Sequence, residues 1–246
     1  MFGLNALVVG ATSSLAQAMC HALAARGYGL VLAGRDEMEL DILARDIAIR
    51  HDITCKKLVV DFLASGFSAE DFVAQAGDIS HMIMVAGDMG SADVTSIGNL
   101  AYTMHLNYTI PAQISTAAAK KLAERFREQK RRGAVVIVSS VAGDRGRQSN
   151  YAYGAAKAAI STFASGLRNK FFKQGVHVLT IKPGFIDTPM TWGMQSPLLA
   201  SREKVAADIL KAMEKGRDVA YVPFFWRYIM LIIIHIPEKV FKRFSL

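Results

Sequence analysis

Hydrophobic residues in this chain fall in short continuous runs, separated by longer stretches in which apolar residues recur at helical spacing. An uninterrupted run of three to six apolar residues is typical of a strand buried on both faces. Such runs predict seven strands, at 6–9, 30–33, 58–60, 81–86, 134–139, 177–181 and 219–222. Helical spacing predicts helices at 14–26, 36–50, 68–76, 99–129, 150–174 and 202–215.

The regular alternation of strand and helix determines the expected fold class. Short connections between strand and helix imply right-handed crossovers, which place the strands parallel and cover both faces of the sheet with helices. We therefore predict a single-domain α/β protein of the doubly wound Rossmann type, with a seven-stranded parallel sheet flanked by helices. Residues 1–223 would form this domain, and residues 224–246 an apolar and basic C-terminal tail.

Composition narrows the classes of function. A chain of 246 residues with 52% apolar residues can bury one large core, which excludes intrinsic disorder as the default state. The two cysteines form no CxxC pair, so neither a disulfide scaffold nor a metal site is expected. The N-terminus has no charged segment followed by a long apolar one, which favours a cytoplasmic protein over a secreted one.

The formal charge of +8 is concentrated in two places. Residues 120–132 carry seven basic and two acidic side chains, and residues 224–246 carry four basic side chains and one acidic. A basic stretch at the end of a helix usually complements the helix dipole in solvent. Nucleic-acid binding is the alternative, but no recognition motif accompanies the charge, so we expect no nucleic-acid partner.

The first strand leads into a small polar turn at the start of the first helix. In a doubly wound sheet, ligands bind beyond the carboxyl ends of the strands, and backbone N–H groups at a helix N-terminus favour a pyrophosphate. A plain turn capped by serine is the alternative. The candidate pyrophosphate-binding residues are Gly10, Thr12, Ser13, Ser14 and Leu15.

The end of the second strand indicates which dinucleotide would bind. An acidic residue there holds the ribose hydroxyls of NAD, whereas an arginine suits the 2′-phosphate of NADP. Gly34 occupies the usual acidic position and Arg35 follows at once, which favours NADP. Asp36 keeps NAD as an alternative, and a solvated charged turn is a third.

Candidate chemistry lies between the fifth strand and the helix after it. Tyr153 and Lys157 are four residues apart and therefore share one helical face. An ammonium near a phenol lowers the phenol pKa, which would make Tyr153 a general acid or base near neutral pH. Ser140 ends the preceding strand, where its hydroxyl can hold a substrate oxygen beside the phenol. Tyr151 is a rival phenol without a lysine four residues later.

These motifs resemble the short-chain dehydrogenase/reductase family in its compact single-domain form, and the likeness extends over nearly the whole chain. The resemblance implies that Tyr153 exchanges a proton with the substrate oxygen while Ser140 orients the carbonyl group. Lys157 would hold the nicotinamide ribose. Asn107, within the segment 104–108 on the fourth helix, would be the fourth catalytic residue and support a water relay.

The resemblance also implies further cofactor contacts. Asp61, after the third strand, would contact the adenine, and the segment after the sixth strand would hold the carboxamide. The additional residues expected at the cofactor are Asp61, Phe62, Ala86, Gly87, Pro183, Gly184, Ile186 and Thr188.

Two segments depart from the family pattern. Ser14 and Ala16 replace the second and third glycines of the first turn, and Met84 and Val85 replace two asparagines after the fourth strand. The replacements in the turn are small, so close approach of a phosphate is still expected. The loss of the asparagines removes side-chain hydrogen bonds near the cofactor.

The segment after Thr188 contains apolar side chains that could contact a substrate. Met190, Trp192 and Met194 suggest an apolar substrate wall, with simple packing of a lid as the alternative.

The C-terminal tail is unusually apolar. Residues 219–236 are almost wholly apolar, but Pro223 and Arg227 argue against a membrane-spanning helix. The tail could pack on the domain or a subunit partner, act as a dimer arm, or anchor the protein at a membrane surface. The aromatic and basic residues that suit such an anchor are Phe224, Phe225, Trp226, Lys239, Lys242 and Arg243.

Together these observations predict an NADP-preferring oxidoreductase that interconverts a secondary alcohol and a ketone. Its substrate would be a small molecule. An apolar one is indicated by the wall at residues 190–194, and a lipid-linked one by the tail, which resembles that of some bacterial family members that act on lipid-linked sugars. A homodimer or homotetramer is expected. The alternatives are a regulatory protein that binds a dinucleotide without turnover, and a dehydratase or epimerase of the same superfamily.

Overall fold

A computed structural model describes residues 4–90 and 95–244 of the chain. Seven parallel strands form one sheet in the order β3-β2-β1-β4-β5-β6-β7, which confirms the predicted single-domain, doubly wound fold. The strand order reverses between β1 and β4, and this reversal is where such sheets bind ligands. The strands are β1 (Asn5–Val9), β2 (Gly29–Gly34), β3 (Lys56–Val59), β4 (His81–Met84), β5 (Gly133–Val138), β6 (Val176–Pro183) and β7 (Val219–Val222).

Helices cover both faces of this sheet. One face carries α1, α2 and α7, and the other carries α3, α5 and α6. Neighbouring residues of β1 alternate between the two cores, as Leu7 and Val8 do, so this strand is buried on both sides. The helices are α1 (Ser14–Ala24), α2 (Glu37–His51), α3 (Ala69–Gln75), α4 (Ile97–Met104), α5 (Ile110–Gln129), α6 (Tyr151–Phe171), α7 (Arg202–Glu214), α8 (Trp226–His235) and α9 (Glu238–Phe241).

Most strand boundaries differ from the predicted ones by one or two residues, and two of these differences have identifiable reasons. β3 begins at Lys56, two residues before the apolar run, because it is an edge strand whose lysines face solvent. β4 ends two residues early, at Met84. The N–H groups of Val85 and Ala86 both donate to the carbonyl of Val9, so the chain turns there instead of extending the ladder.

The long helix predicted at 99–129 is interrupted. A π-helical turn, His105–Thr109, separates α4 from α5, and the N–H of Ile110 donates to the carbonyl of His105. Pro111 has no N–H to donate to the carbonyl of Asn107, which removes one bond of a regular α-helix at this point. Such turns are frequent at functional sites.

The tail contacts the domain through one side of α8. Trp226 and Met230 are buried in a small apolar cluster with Val141, and the ring of Phe185 meets the Trp226 indole edge-on at 5.0 Å between centroids. The outer side of α8 exposes Leu231 and Ile232. A dimer arm and a membrane anchor remain predictions.

Arg145 fastens the end of α8 to the domain. Its guanidinium donates to the carbonyls of Ile233, Ile234 and Ile236 and to the carboxylate of Glu238. Within residues 4–90 and 95–244, the structure contains no helix of the length and apolarity that a membrane crossing requires.

Candidate active site

A cavity of about 660 Å³ opens beyond the carboxyl ends of β1, β4, β5 and β6. It is lined by the turn after β1, the ends of β4 and β5, the start of α6 and the segment after β6. Most of the residues predicted for catalysis and cofactor binding lie there. Those lining the cavity are Thr12, Ser13, Ser14, Leu15, Gly87, Ser140, Tyr153, Lys157, Pro183, Gly184, Ile186 and Thr188.

The turn after β1 depends on the glycine at its start. Gly10 has a φ of +80°, and a Cβ there would lie 2.8 Å from the backbone nitrogen of Ala86. Gly10 and Ala86 therefore bring the ends of β1 and β4 together, and neither lines the cavity. Ser13 caps α1 by accepting a hydrogen bond from the N–H of Ala16 at 3.4 Å. Ser13 and the half-buried Ser14 thus place the N-terminus of α1 at the cavity wall.

Ser140 and Tyr153 meet across this cavity. Ser140 begins a 3₁₀ turn, Val141–Asp144, by accepting a hydrogen bond from the N–H of Ala142 at 3.1 Å. Tyr153 lies in the first turn of α6, and its hydroxyl forms a hydrogen bond with the side chain of Ser140. The two hydroxyl groups therefore present a pair of hydrogen-bonding groups to one point of the cavity.

The expected lowering of the Tyr153 pKa is wrong for this structure. Burial is the main cause that raises the pKa of Tyr153 to about 12; the hydrogen bond with Ser140 partly opposes it, and the charge of Asp88 adds to it. The Nζ of Lys157 lies 5.5 Å from the centre of the Tyr153 ring and donates to the carbonyl of Val138 at 3.2 Å. Burial disfavours the charged form of both groups, so it also lowers the pKa of Lys157 to about 8.

Asn107 holds the chain just after β4. Its Nδ2 donates to the carbonyls of Asp88, at 2.7 Å, and Thr103, at 2.9 Å, while its Oδ1 accepts from the N–H of Asp88 at 3.1 Å. Gly87 lies between Asn107 and Lys157. A Cβ on Gly87 would be 2.8 Å from the Asn107 oxygen and 3.0 Å from the Lys157 nitrogen. This glycine therefore allows the two side chains to approach each other.

The adenosine-binding residues expected from the sequence lie outside this cavity. Arg35 is exposed directly after β2, and the carboxylate of Asp61 accepts a hydrogen bond from the N–H of Leu63 at 2.9 Å. Phe62 is instead a core residue, 8% exposed, whose ring packs against Phe67 and Phe72. Its side chain is therefore part of the core on the α3 side of the sheet.

Sequence reasoning missed Tyr102 and Asp88. Burial raises the pKa of Tyr102, and Asp88, its hydrogen-bond partner, raises it further. The charges of Arg35, after β2, and of Asp61, after β3, also act on the Tyr102 hydroxyl. No spacing in the sequence could reveal this cluster, because its members come from four separate segments.

A parallel sheet with such an order reversal, and a cavity beyond its carboxyl ends, is typical of α/β proteins that bind a dinucleotide, and Ser140, Tyr153 and Lys157 line this cavity. The family model for the short chain dehydrogenases matches residues 4–198. The chain therefore belongs to the short-chain dehydrogenase/reductase family, whose members use NAD(P).

Relatives of similar length have been described as oxidoreductases. An uncharacterised oxidoreductase of Mycobacterium tuberculosis is 32% identical over 246 residues, which covers 96% of this chain and 95% of the relative. An uncharacterised oxidoreductase of Myxococcus xanthus is 31% identical over 230 residues, which covers 91% and 88%. These relatives support an oxidoreductase without indicating its substrate.

Two solved structures share the fold. A short-chain dehydrogenase from Sphingobium yanoikuyae, in complex with NADPH, superposes with a TM-score of 0.80 at 22% identity and covers 96% of this chain and 97% of its own. The bulky-bulky ketone specific alcohol dehydrogenase of Comamonas testosteroni gives a TM-score of 0.79 at 21% identity, with 96% and 95% covered. At these identities the likeness establishes the fold.

The residues at the cavity fit a nicotinamide dinucleotide. Hydroxyl groups of the turn and the N-terminus of α1 offer donors for a pyrophosphate at one part of the wall. The fully buried Lys157 ammonium and the half-buried Thr188 offer donors at another part, where a ribose and a carboxamide would lie. Ser14 and Ala16, which replace glycines, leave the turn intact, since Ser14 lines the cavity and Ala16 is buried beneath it.

Proposed function

We propose that this protein is an NADP(H)-preferring oxidoreductase that interconverts a secondary alcohol and a ketone, with Tyr153 as the general acid and base. The observation that carries the proposal is the convergence of Ser140, Tyr153 and Lys157 in the cavity that also contains the turn after β1. The bound nicotinamide would supply or accept the hydride.

The proton chemistry follows from the two hydroxyl groups. In the direction of reduction, Tyr153 is protonated at neutral pH, because its pKa is about 12, and it donates its proton to the carbonyl oxygen. The Ser140 hydroxyl binds the same oxygen and fixes its position beside the phenol. The phenolate left behind is stabilised by the Lys157 ammonium, whose nitrogen lies 5.5 Å from the ring centre. In the direction of oxidation the same phenolate accepts the proton from the alcohol.

Asn107 supports this reaction by fixing the backbone next to the reacting groups. Its side-chain amide is fully engaged with the peptide groups of Asp88 and Thr103, so it fixes the segment that carries Gly87. A water relay would use its backbone carbonyl, which Pro111 leaves without an α-helical donor.

The preference for NADP rests on the end of β2. Arg35 is exposed there and can bind a 2′-phosphate, whereas the carboxylate of Asp36 caps α2 by accepting from the N–H of Glu39 at 3.0 Å. Because Asp36 already has a structural partner, NAD is the less favoured alternative. The NADPH bound to the Sphingobium yanoikuyae enzyme supports the same preference.

The proposed substrate is a small ketone or alcohol with an apolar part that contacts the cavity wall. Met190 and Met194 line the cavity, whereas Trp192 is 89% exposed and does not. The name of the Comamonas testosteroni enzyme, which refers to bulky ketones, supports a ketone as the substrate class. A lipid-linked substrate is a further proposal. We also propose a cytoplasmic homodimer or homotetramer that contacts a membrane through its tail. The exposed apolar side of α8 suits a contact with a second subunit or with a membrane surface.

The proposal is tested by following NADPH oxidation with a panel of ketones for the wild type and for Tyr153→Phe. We expect the wild type to turn over at least one ketone and the variant to lose about 10²- to 10⁴-fold in kcat, while both bind NADPH with the same affinity in a calorimetric titration. If both proteins bind NADPH and neither oxidises it with any ketone, the non-catalytic alternative is favoured instead.

A further inference from the structure

The cavity carries a second cation that the reaction described above does not use. Arg147 lies in the loop between the 3₁₀ turn after β5 and α6, and its side chain lines the cavity six residues before Tyr153. Among the described residues that line the cavity, Arg147 and Lys157 are the cationic ones and none is acidic. The remaining wall includes Val141, Phe185 and several methionines, so Arg147 borders a cavity with a large apolar part.

Arg147 has no carboxylate partner among the described residues. Its Nη2 contacts the sulfur of Met230 at 3.7 Å, and its buried Nε has no hydrogen-bond partner. Asp144, whose charge acts on Arg147, is already engaged by the Lys182 ammonium and by the Tyr221 hydroxyl at 2.8 Å. The guanidinium is therefore held in place by the tail without being neutralised.

Arg145, two residues before Arg147, has the partners that Arg147 lacks. Arg145 donates to three carbonyls of the tail, forms an ion pair with Glu238 at 2.9 Å and stacks over Phe241 at 3.9 Å. Its charge and its donors are satisfied within the protein. Arg147, two residues later, lacks all of these contacts and lines the cavity instead.

A partly buried guanidinium without a counterion carries an unrecovered desolvation cost, and burial accordingly lowers the pKa of Arg147. An anionic ligand in the cavity would recover that cost. The planar fork of arginine matches a carboxylate or a phosphate through two parallel hydrogen bonds, which are stronger than bonds between neutral groups.

We propose that Arg147 makes this cavity select substrates that carry an anionic group, a carboxylate or a phosphate ester, attached through an apolar spacer to the reacting carbon. The inference rests on the proposed function for the site of the reaction at Tyr153. It adds the substrate class, because Ser140 and Tyr153 bind the oxygen that reacts while Arg147 binds the other end of the same molecule.

The binding test compares two probes of matched shape, 4-phenylbutyrate and its neutral amide, by calorimetry in the presence of NADP⁺. We expect the wild type to bind the carboxylate at least tenfold more tightly than the amide, and Arg147→Gln to lose this preference. Arg147→Lys, which keeps the charge, should retain part of it, and the exposed control Arg132→Gln should retain all of it. 3-Phenylpropyl phosphate, compared with 3-phenylpropanol, distinguishes a phosphate preference from a carboxylate preference.

Two binding results would overturn the inference. One is equal affinity of the wild type for each anionic probe and its neutral counterpart. The other is a preference that persists in Arg147→Gln. If Arg147→Gln instead weakens NADPH binding tenfold and the wild type shows no preference among the probes, the arginine binds the cofactor and the inference is wrong.

A turnover test separates the inference from the proposed function. The ketone 4-oxo-4-phenylbutyrate and its amide are compared as substrates with NADPH. We expect kcat/KM to favour the carboxylate at least tenfold, and the ratio to fall towards one in Arg147→Gln. If both ketones are reduced equally well, the proposed function holds and the inference fails. If neither these two ketones nor any ketone of the panel is reduced, but the anionic probes still bind preferentially, the anion site holds and the proposed function fails.

Discussion

The indole ring of Trp226, in the C-terminal helix α8, occupies the space that a side chain on Gly184 would need. Gly184 belongs to the segment after β6 that lines the cavity, and Trp226 is 3% exposed beneath it. The tail is therefore part of the wall behind the proposed cofactor segment. A glycine at this position serves close packing between two parts of the chain that are 42 residues apart.

Replacing Gly184 by alanine should destabilise the protein. The added methyl group overlaps the Trp226 ring, and overpacking of this kind costs about 1–3 kcal/mol. We expect a lower urea midpoint for Gly184→Ala and weaker NADPH binding, because the segment after β6 must move. In the matched control Gly166→Ala, in the interior of α6, the added Cβ would meet no atom within 4 Å apart from the neighbouring backbone of its own helix. The free energy of unfolding should therefore rise by about 0.5–1 kcal/mol. A Gly184→Ala variant as stable as the wild type would contradict the packing described.

Replacing Gly87 by alanine should impair the reaction more than the fold. The new Cβ would press on the Asn107 oxygen and the Lys157 nitrogen, at 2.8 Å and 3.0 Å. Small displacements of positioning groups have large effects on rate, so we expect kcat to fall by about tenfold or more. Steady-state kinetics with NADPH and a ketone measure this. Gly98→Ala, where the nearest atom is 3.8 Å away, is the control and should leave kcat unchanged. Equal rates for the two variants would show that Gly87 has no such role.

Lys157 should lower the stability of the protein in a pH-dependent manner. Its pKa falls from 10.5 in the unfolded chain to about 8 when buried, so below about pH 8 the native state bears the full cost of a buried charge. Between about pH 8 and 10.5 the unfolded state binds the additional proton, and wild-type stability rises with pH. Lys157→Met should therefore be more stable than the wild type at pH 7, by up to about 3 kcal/mol.

The measurement is urea unfolding of Lys157→Met and the wild type from pH 6 to 9.5. We expect the stability gap to be constant up to about pH 8 and to narrow above it. The exposed control Lys173→Met should show no such pH dependence relative to the wild type. A gap that widens with pH, or a less stable Lys157→Met variant at pH 7, would contradict the assigned burial cost.

Arg35 should determine the choice between the two dinucleotides. Without its charge, the 2′-phosphate of NADPH loses its partner, whereas NADH loses little. Calorimetric titration should show NADPH binding about tenfold weaker in Arg35→Ala, with NADH binding nearly unchanged. Arg45→Ala, an exposed arginine on α2, is the control for a general charge effect. Tighter binding of NADH than of NADPH by the wild type would overturn the preference.

The apolar runs were enough to predict the sheet, because strands buried on both faces leave a strong signal. The signal fails at Lys56 and Lys57, where the edge strand faces solvent. The spacing of apolar residues also does not predict the π-helical turn, because one extra residue between α4 and α5 leaves the helical periodicity almost unchanged. Local patterns therefore predict which segments are buried more reliably than where each one ends.

The proposed catalytic residues could be predicted from the sequence because Tyr153 and Lys157 are neighbours on one helix. The raised pKa of Tyr153 could not be predicted from the sequence, because it depends on burial, and the spacing between two residues in the sequence gives no measure of burial. Arg147 and the pairing of Gly184 with Trp226 were also out of reach. Both arise from the tail folding back on the domain, so they depend on contacts between residues far apart in the chain.

Transfer of deuterium from NADPH to a ketone tests the central claim most directly. The protein is incubated with NADPH that carries deuterium at both C4 positions of the nicotinamide and with a ketone reduced in the panel, and the alcohol is analysed by mass spectrometry and NMR. The account predicts deuterium on the carbinol carbon with the wild type and little or none with Tyr153→Phe. An unlabelled product, or no alcohol from any ketone although NADPH binds, would contradict it.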